Sequence, residues 1–213
     1  MKVVAIVPAY NEGPRVAAVT SVLKRCALID RVLVIDDGSQ DNTAEAARAT
    51  GVDVLTLPRN MGKGAAVAKG IKATDSEVIL LMDADLVGLT EKHVNDLVVP
   101  VLNGQADMTV GMFRGGRVLT DLAQMVTTFL SGQRALKRSL FEPSELEDTE
   151  YGLETILTQI ANEKSLIVKK VFLDELTQVV KEEKMGVSEG MRTRFKMYWH
   201  VIKQVFKRAF RMN

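Results

Sequence analysis

Short, unbroken apolar runs punctuate the first half of the chain, and stretches of helical length separate them. The runs are Val3 to Val7, stopped by Pro8, then Val32 to Ile35, Val52 to Leu57, Val78 to Met82 and Met108 to Met112. Runs this continuous belong to strands buried on both faces, as in parallel sheets, where a half-exposed strand would alternate. Helices are predicted between them over about Pro14 to Cys26, Thr43 to Ala49, Ala65 to Lys72 and Glu91 to Leu102. Pro14 suits a first helical turn, and Asp41 or Asn42 caps the second helix. Strands alternating with helices of this length predict βαβ units and an α/β fold with a mostly parallel central sheet flanked by helices.

Beyond Met112 the pattern is weaker. Leu119 to Leu130 is apolar enough for a packed or interfacial helix, and Arg134 and Arg138, four apart, are expected to share a helix face. A helix over Leu153 to Asn162 follows, then a strand over Leu166 to Leu173 closing the sheet's edge, then a helix over Asp174 to Lys184.

Polar residues cluster where the early strands end. Asn11 and Glu12, Asp36 and Asp37, Arg59 and Lys63, and Asp83 and Asp85 all follow predicted strand ends. In open α/β sheets ligands bind at that edge, so the clusters define one polar crevice. Asp83 and Asp85 flank Ala84 and point the same way in extended chain, where two hard oxygen ligands suit Mg2+ or Mn2+. Each cluster also reads as plain structure: a turn or helix cap for either Asp pair, a turn at Pro8 to Glu12, a flexible glycine loop at Asn60 to Gly64.

Composition narrows the picture little. Over 213 residues, 46% hydrophobic and 26% charged, the chain has the make-up of a globular domain with a sizeable core. One cysteine, Cys26, leaves no internal disulfide and fits a reducing compartment; it is expected on a buried helix face. No signal peptide and no membrane-spanning run is expected.

Together the motifs carry a resemblance. Val7-Pro-Ala-Tyr-Asn-Glu12, Val34-Ile-Asp-Asp-Gly-Ser39 with Asp41-Asn-Thr43, Asn60-Met-Gly-Lys-Gly64 and Asp83-Ala-Asp85 stand in the order and spacing of family 2 glycosyltransferases. Among these the chain most resembles the dolichyl- and polyprenyl-phosphate sugar transferases and, less closely, the glucosyl-3-phosphoglycerate synthase group. The resemblance implies the GT-A fold and a nucleotide-sugar donor. It further implies Asp85 as metal ligand, with Asp83 sharing the metal or holding ribose. The nucleoside is then expected between Pro8, Tyr10 and Glu12 on one side and Asp37 on the other. Asp37 would accept from a base N–H, which favours a UDP-sugar over a GDP-sugar. Lys63 and Ala84 complete the donor side. Ser131-Gly-Gln-Arg134 is similar to a Ser-Gly-x-Arg stretch of the lipid-phosphate enzymes, implying a phosphate contact for Arg134. Those enzymes often carry a metal-binding Gln where this chain has Val87.

Arg114 and Arg117, flanking two glycines, suit phosphates gripped from a flexible loop, and equally a solvated turn. Glu154 and Asp148 are candidate general bases for a hydroxyl acceptor, although acids at a helix start are also good caps, and a phosphate acceptor needs no base.

From Met191 on, Phe195, Tyr198, Trp199, Ile202, Val205, Phe206 and Ala209 fall on one helical face. Arg192, Arg194, Lys196, Lys203, Lys207, Arg208 and Arg211 carry the rest, with no acid among them. Aromatics opposite cations form a membrane-surface pattern, each cation contributing about 1 kcal/mol near an anionic leaflet. The alternative is a helix docked on the domain or on a second subunit in a homodimer. No nucleic-acid recognition motif accompanies the basic face. The expected organisation is a domain over 1–188, with a nucleotide-sugar half (1–112) and an acceptor half (113–188), followed by a basic amphipathic helix over 189–213. The expected activity is metal-dependent hexose transfer to a lipid-linked acceptor, polyprenyl phosphate, by an enzyme held peripherally at the cytoplasmic membrane face. The alternatives are transfer to a soluble hydroxyl acceptor such as a phosphoglycerate, or a non-catalytic nucleotide-sugar-binding membrane protein.

Overall fold

The computed structural model describes residues 1–114, 131–146 and 152–178. The chain divides into two units, Met1–Thr177 and Gln178–Asn213. The second unit, including the predicted helix over 191–211, lies outside the described residues save for Gln178, as does the stretch Leu119 to Leu130.

The predicted alternation is present. Strands β1 (Val3–Ala9), β2 (Arg31–Asp36), β3 (Asp53–Thr56), β4 (Val78–Leu81) and β6 (Met108–Arg114) interleave with helices α1 (Val16–Arg25), α2 (Thr43–Ala49), α3 (Lys63–Lys72) and α4 (Glu91–Leu102). Two residues, Leu86–Val87, form β5; β7 (Arg134–Lys137), α5 (Leu153–Glu163), β8 (Val168–Asp174) and β9 (Thr177–Gln178) complete the described chain. The main sheet has the order β3-β2-β1-β4-β7-β6-β8, and β5 pairs with β9 in a separate ribbon. All neighbours are parallel except β7, which runs antiparallel between β4 and β6.

Alternate residues of each central strand feed opposite cores, as the pleat requires. Val3, Ala5 and Val7 pack with Val19 and Leu23 of α1 and with Leu97 and Val101 of α4. Val4 and Ile6 pack with Ala66 and Ile71 of α3 and with Leu157 and Ile160 of α5. Helix α3 comes close to the sheet through Gly70, where a Cβ would lie 2.9 Å from Ile6 Cγ2. Truncating a residue such as Leu97 or Leu157, both at most 1% exposed, costs about 2–5 kcal/mol.

Three predictions require correction. Pro8 does not stop β1, which runs to Ala9. The β4 ladder ends at Ile6, so Pro8 keeps only β2 as a neighbour and its missing N–H is tolerated. Arg134 and Arg138 share no helix face, because Arg134 opens strand β7. The stretch from Asp174 does not begin a helix: Asp174 ends β8, Glu175 has φ 61°, and Thr177–Gln178 is a strand.

The helix over Glu91–Leu102 has the predicted bounds, with a cap the sequence left unread. Thr90 Oγ1 accepts from His93 N (3.4 Å), and His93 Nδ1 accepts from Thr90 N (3.3 Å). With Nδ1 accepting, Nε2 carries the proton and donates to the Asp174 carbonyl at 2.9 Å. One imidazole thereby caps α4 and ties it to the end of β8.

Candidate active site

The loops after β1 and β2 are stapled together. Asn11, at φ 54°, donates its N–H to Ser39 Oγ (2.9 Å) and accepts from Gln40 N through Oδ1 (2.9 Å). Glu12 N donates to Thr43 Oγ1 (2.8 Å), and Gly13 N to Asp41 Oδ2 (3.0 Å). Asp41 also accepts from the N–H and hydroxyl of Thr43, so it, rather than Asn42, carries the cap of α2. The aspartates at the end of β2 divide their roles. Asp36 closes its own turn by accepting from Ser39 N at 3.1 Å. Asp37, 3% exposed, accepts from Met61 N (2.7 Å) and Gly62 N (2.9 Å). It thus pins the glycine loop, which Gly38 (φ 70°) lets come close: a Cβ there would lie 2.4 Å from the Arg59 backbone. Tyr10 stands 42% exposed at the end of β1, beside half-buried Pro8, while Glu12 is buried and paired with Arg15 at 3.3 Å.

The fixed loop delivers Lys63 to the sheet edge. Its Nζ lies 2.6 Å from Asp83 Oδ1, at the end of β4, and 2.5 Å from Glu154 Oε1, in the first turn of α5. Burial opposes the ammonium charge, but the two carboxylates outweigh it and hold the Lys63 pKa above its ordinary value. Asp83 is held from the other side by Gln133, whose Nε2 donates to Oδ2 at 2.8 Å. Ser131 Oγ in turn donates to Gln133 Oε1 (3.1 Å). Between them Gly132 passes so close that a Cβ would lie 2.6 Å from both Asp83 Oδ2 and Lys63 Nζ.

Arg134 lies beneath this cluster, 0% exposed. Its Nε donates to the Ser131 carbonyl (2.9 Å), and both terminal nitrogens donate to Thr158 Oγ1 (3.1 Å each). Burial pushes its pKa down to about 10, with the negative charge of Glu154 opposing, so it stays protonated at neutral pH. The guanidinium faces inward and braces β7 against α5.

Ala84 (3% exposed) and Asp85 (8%) complete the turn after β4. β5 follows at once and is paired with β9; Val87 is 53% exposed. Among the described residues no group of three or more His, Cys, Asp or Glu is gathered to hold a metal ion. The carboxylates of Asp83 and Asp85 are the hard oxygen donors that suit Mg2+ or Mn2+, which retain waters and take diphosphate oxygens in place of further protein ligands.

Pro8 in β1 and Tyr10, Glu12 and Asp37 on the adjacent loops after β1 and β2 therefore lie at one sheet edge, and Lys63, Asp83 and Glu154 in one contact chain. Arg134 is near but turned inward. Arg117 and Asp148 lie outside the described residues, and Arg114 is described only as the last residue of β6. Sequence reasoning missed Gln133 and Thr158. Gln133 stands within the Ser131–Arg134 stretch, but only the antiparallel register, which sets Arg134 opposite Leu81, two residues before Asp83, brings it to the site.

A parallel sheet whose strand ends gather a glycine loop and an Asp-Ala-Asp turn defines a nucleotide-diphospho-sugar transferase fold of the GT-A class. The chain belongs to glycosyl transferase family 2, whose family model matches residues 4–162. A dolichyl-phosphate beta-glucosyltransferase of Trichomonas vaginalis is 39% identical over 94 residues, covering 38% of this chain and 28% of that protein. A glucosyl-3-phosphoglycerate synthase of Mycobacterium tuberculosis is 30% identical over 117 residues, covering 51% and 36%. The chain thus matches about a third of the length of these curated relatives. The crystal structure of the M. tuberculosis synthase with Mn2+ and UDP-glucose matches with TM-score 0.71 and 27% identity, over 84% of this chain and 71% of that one. No helix among the described residues is long and apolar enough to cross a membrane.

Proposed function

We propose that the protein transfers a hexose from a UDP-sugar to an acceptor approaching beside Glu154, with Mg2+ or Mn2+ held by Asp85 and Asp83. The observation that carries this reading is the convergence of Asp83, Lys63 and Glu154 at one sheet edge, next to the loops of Tyr10 and Asp37. A Mn2+–UDP-glucose complex of a similar structure supports the choice of donor and ion.

Each residue then has a chemical task. Asp37 keeps lone pairs beyond those given to Met61 and Gly62, and these accept the base N–H. Tyr10 offers an exposed ring as a face for the base, with Pro8 and Glu12 shaping its rim. Ala84 buries its methyl group in the core and so anchors the turn that carries the two aspartates. Lys63 is poised to follow the developing charge on the leaving diphosphate, where a fixed cation is worth most. The divalent ion supplies further charge stabilisation to the diphosphate when bound. Arg114 and Arg117 are assigned to phosphates, and Arg134 to bracing the floor. With a hydroxyl acceptor, Glu154 or Asp148 takes the proton; with a phosphate acceptor neither is needed.

For the acceptor we favour a lipid-linked phosphate reached from the cytoplasmic membrane face. The similarity to a dolichyl-phosphate enzyme and the basic, aromatic sequence of 191–211 support this. A second reading, transfer to the hydroxyl of a phosphoglycerate, is favoured by the likeness to the synthase structure over 84% of the chain.

Calorimetry of UDP binding with and without Mn2+, on wild type and Asp85→Ala, tests the donor site; binding indifferent to both metal and substitution would sink the assignment. Incubation with labelled UDP-glucose and either polyprenyl phosphate or 3-phosphoglycerate separates the acceptors. Labelled lipid supports the first reading, and labelled glycerate replaces it with the second.

A further inference from the structure

Two carboxylates, Asp83 and Glu154, meet at the donor side of the site, and Lys63 supplies the ammonium between them. That ammonium is shared: 2.6 Å to Asp83 and 2.5 Å to Glu154. The other Asp83 oxygen is engaged by Gln133, which is itself 0% exposed. On the remaining side Gly132 closes the space, since even a Cβ there would overlap Asp83 and Lys63. A cation coming to Asp83 therefore meets an oxygen already neutralised by Lys63 and another already bonded to a buried amide.

From this geometry we infer that Lys63 is a tethered counter-ion that a divalent cation must displace from Asp83, and that Glu154 is the anchor that receives it. The inference rests on the donor-site reading above. Its logic is charge balance in a partly buried cluster, where uncompensated charge is expensive. With Lys63 bridging, two carboxylates share one ammonium. When the ion enters, the two aspartates are matched by its two charges, and Lys63 keeps Glu154 as a neutral pair. Gln133 holds the Asp83 carboxylate in place through the exchange, so only the Lys63 side chain moves. The role of Glu154 here is that of a positioning residue acting through Lys63.

The test is a double-mutant cycle on Mn2+ binding by the full chain, read as the loss of the free-ion electron paramagnetic resonance signal, with and without UDP. With the competitor removed, Lys63→Met is expected to bind Mn2+ about tenfold more tightly than wild type in the absence of nucleotide. With the receiving anchor removed, Glu154→Gln is expected to bind about fivefold more weakly, because Lys63 then rests on Asp83 alone. In the Lys63→Met background the Glu154→Gln effect should vanish. An equal drop in both backgrounds would overturn the inference, since plain loss of negative charge acts regardless of Lys63. Unchanged or weaker Mn2+ binding by Lys63→Met would overturn it as well. Lys63→Gln provides the same reading if Lys63→Met melts early. If wild type binds no Mn2+ even with UDP, the donor-site reading itself fails. If wild type binds and the cycle is flat, only the exchange fails.

Discussion

Gly132 offers the sharpest test of the site's geometry, because it touches the machinery without belonging to it. In Gly132→Ala the new Cβ would lie 2.6 Å from Asp83 Oδ2 and Lys63 Nζ, and 2.7 Å from Asp83 Oδ1, where ordinary contact begins near 3.4 Å. The polar pair must retreat by about 0.8 Å, and the 2.6 Å Lys63–Asp83 contact cannot survive that intact. Overpacking of this kind costs about 1–3 kcal/mol. Global stability is partly compensated, since replacing glycine with alanine restricts the unfolded chain by about 0.4–1 kcal/mol. The expected result is a melting temperature within about 6 °C of wild type, with UDP–Mn2+ affinity roughly tenfold to hundredfold weaker, at 1.4 kcal/mol per tenfold. Differential scanning fluorimetry reads the first quantity and calorimetry the second. A variant that binds UDP–Mn2+ within twofold of wild type would refute the claim that the Asp83 carboxylate must hold its observed position.

Further outcomes follow from other parts of the structure. Arg134→Met leaves the buried Ser131 carbonyl without its donor and should cost about 1–3 kcal/mol in urea unfolding. Arg134→Lys, which keeps the charge without the forked geometry, should recover less than half of that loss. Burial raises the Asp41 pKa, but the hydrogen bonds from Thr43 and Gly13 outweigh it and leave the group below its ordinary 3.8. The stability Asp41 contributes is therefore present above about pH 3.8 and is lost as pH falls through the lower folded value. Asp41→Asn should flatten that acid limb in urea midpoints measured from about pH 2.5 to 6. Burial raises the pKa of the Cys26 thiol, whose Sγ lies 3.3 Å from Asn95 Oδ1. Ellman's reagent should react with native Cys26 only at the rate of unfolding.

The strands that sequence reveals best are those the fold buries most. β1, β2 and β4 are flanked by strands and covered by helices, so their residues have no polar alternative and the apolar runs stand out. β7 has no such signature. It is only four residues long and opens with a fully buried arginine, whose spacing to Arg138 imitates a helix face. What makes it a strand is the gap between β4 and β6, a tertiary fact that no local window contains. The same holds at the site. Asp83, Lys63 and Asp37 announce themselves by motif, whereas Gln133 earns its place only through its register opposite the end of β4. Glu154 was marked as an acid at a helix start; its contact with Lys63, 91 residues away, was not readable.

The antiparallel insertion of β7 also sets a timetable for the chain as it is made. When residue 112 leaves the ribosome, the early strands have their helices, yet β4 still lacks its neighbour and Asp83 lacks Gln133. Until residue 137 emerges, β6 has no route into the sheet, and until residue 154 follows, Lys63 has only one of its two carboxylates. A nascent or prematurely ended product therefore displays the recognisable motifs on a sheet with an open, apolar edge, which is an aggregation hazard. The Asp83–Lys63–Glu154 cluster is therefore completed late, only after residue 154 has followed residue 137.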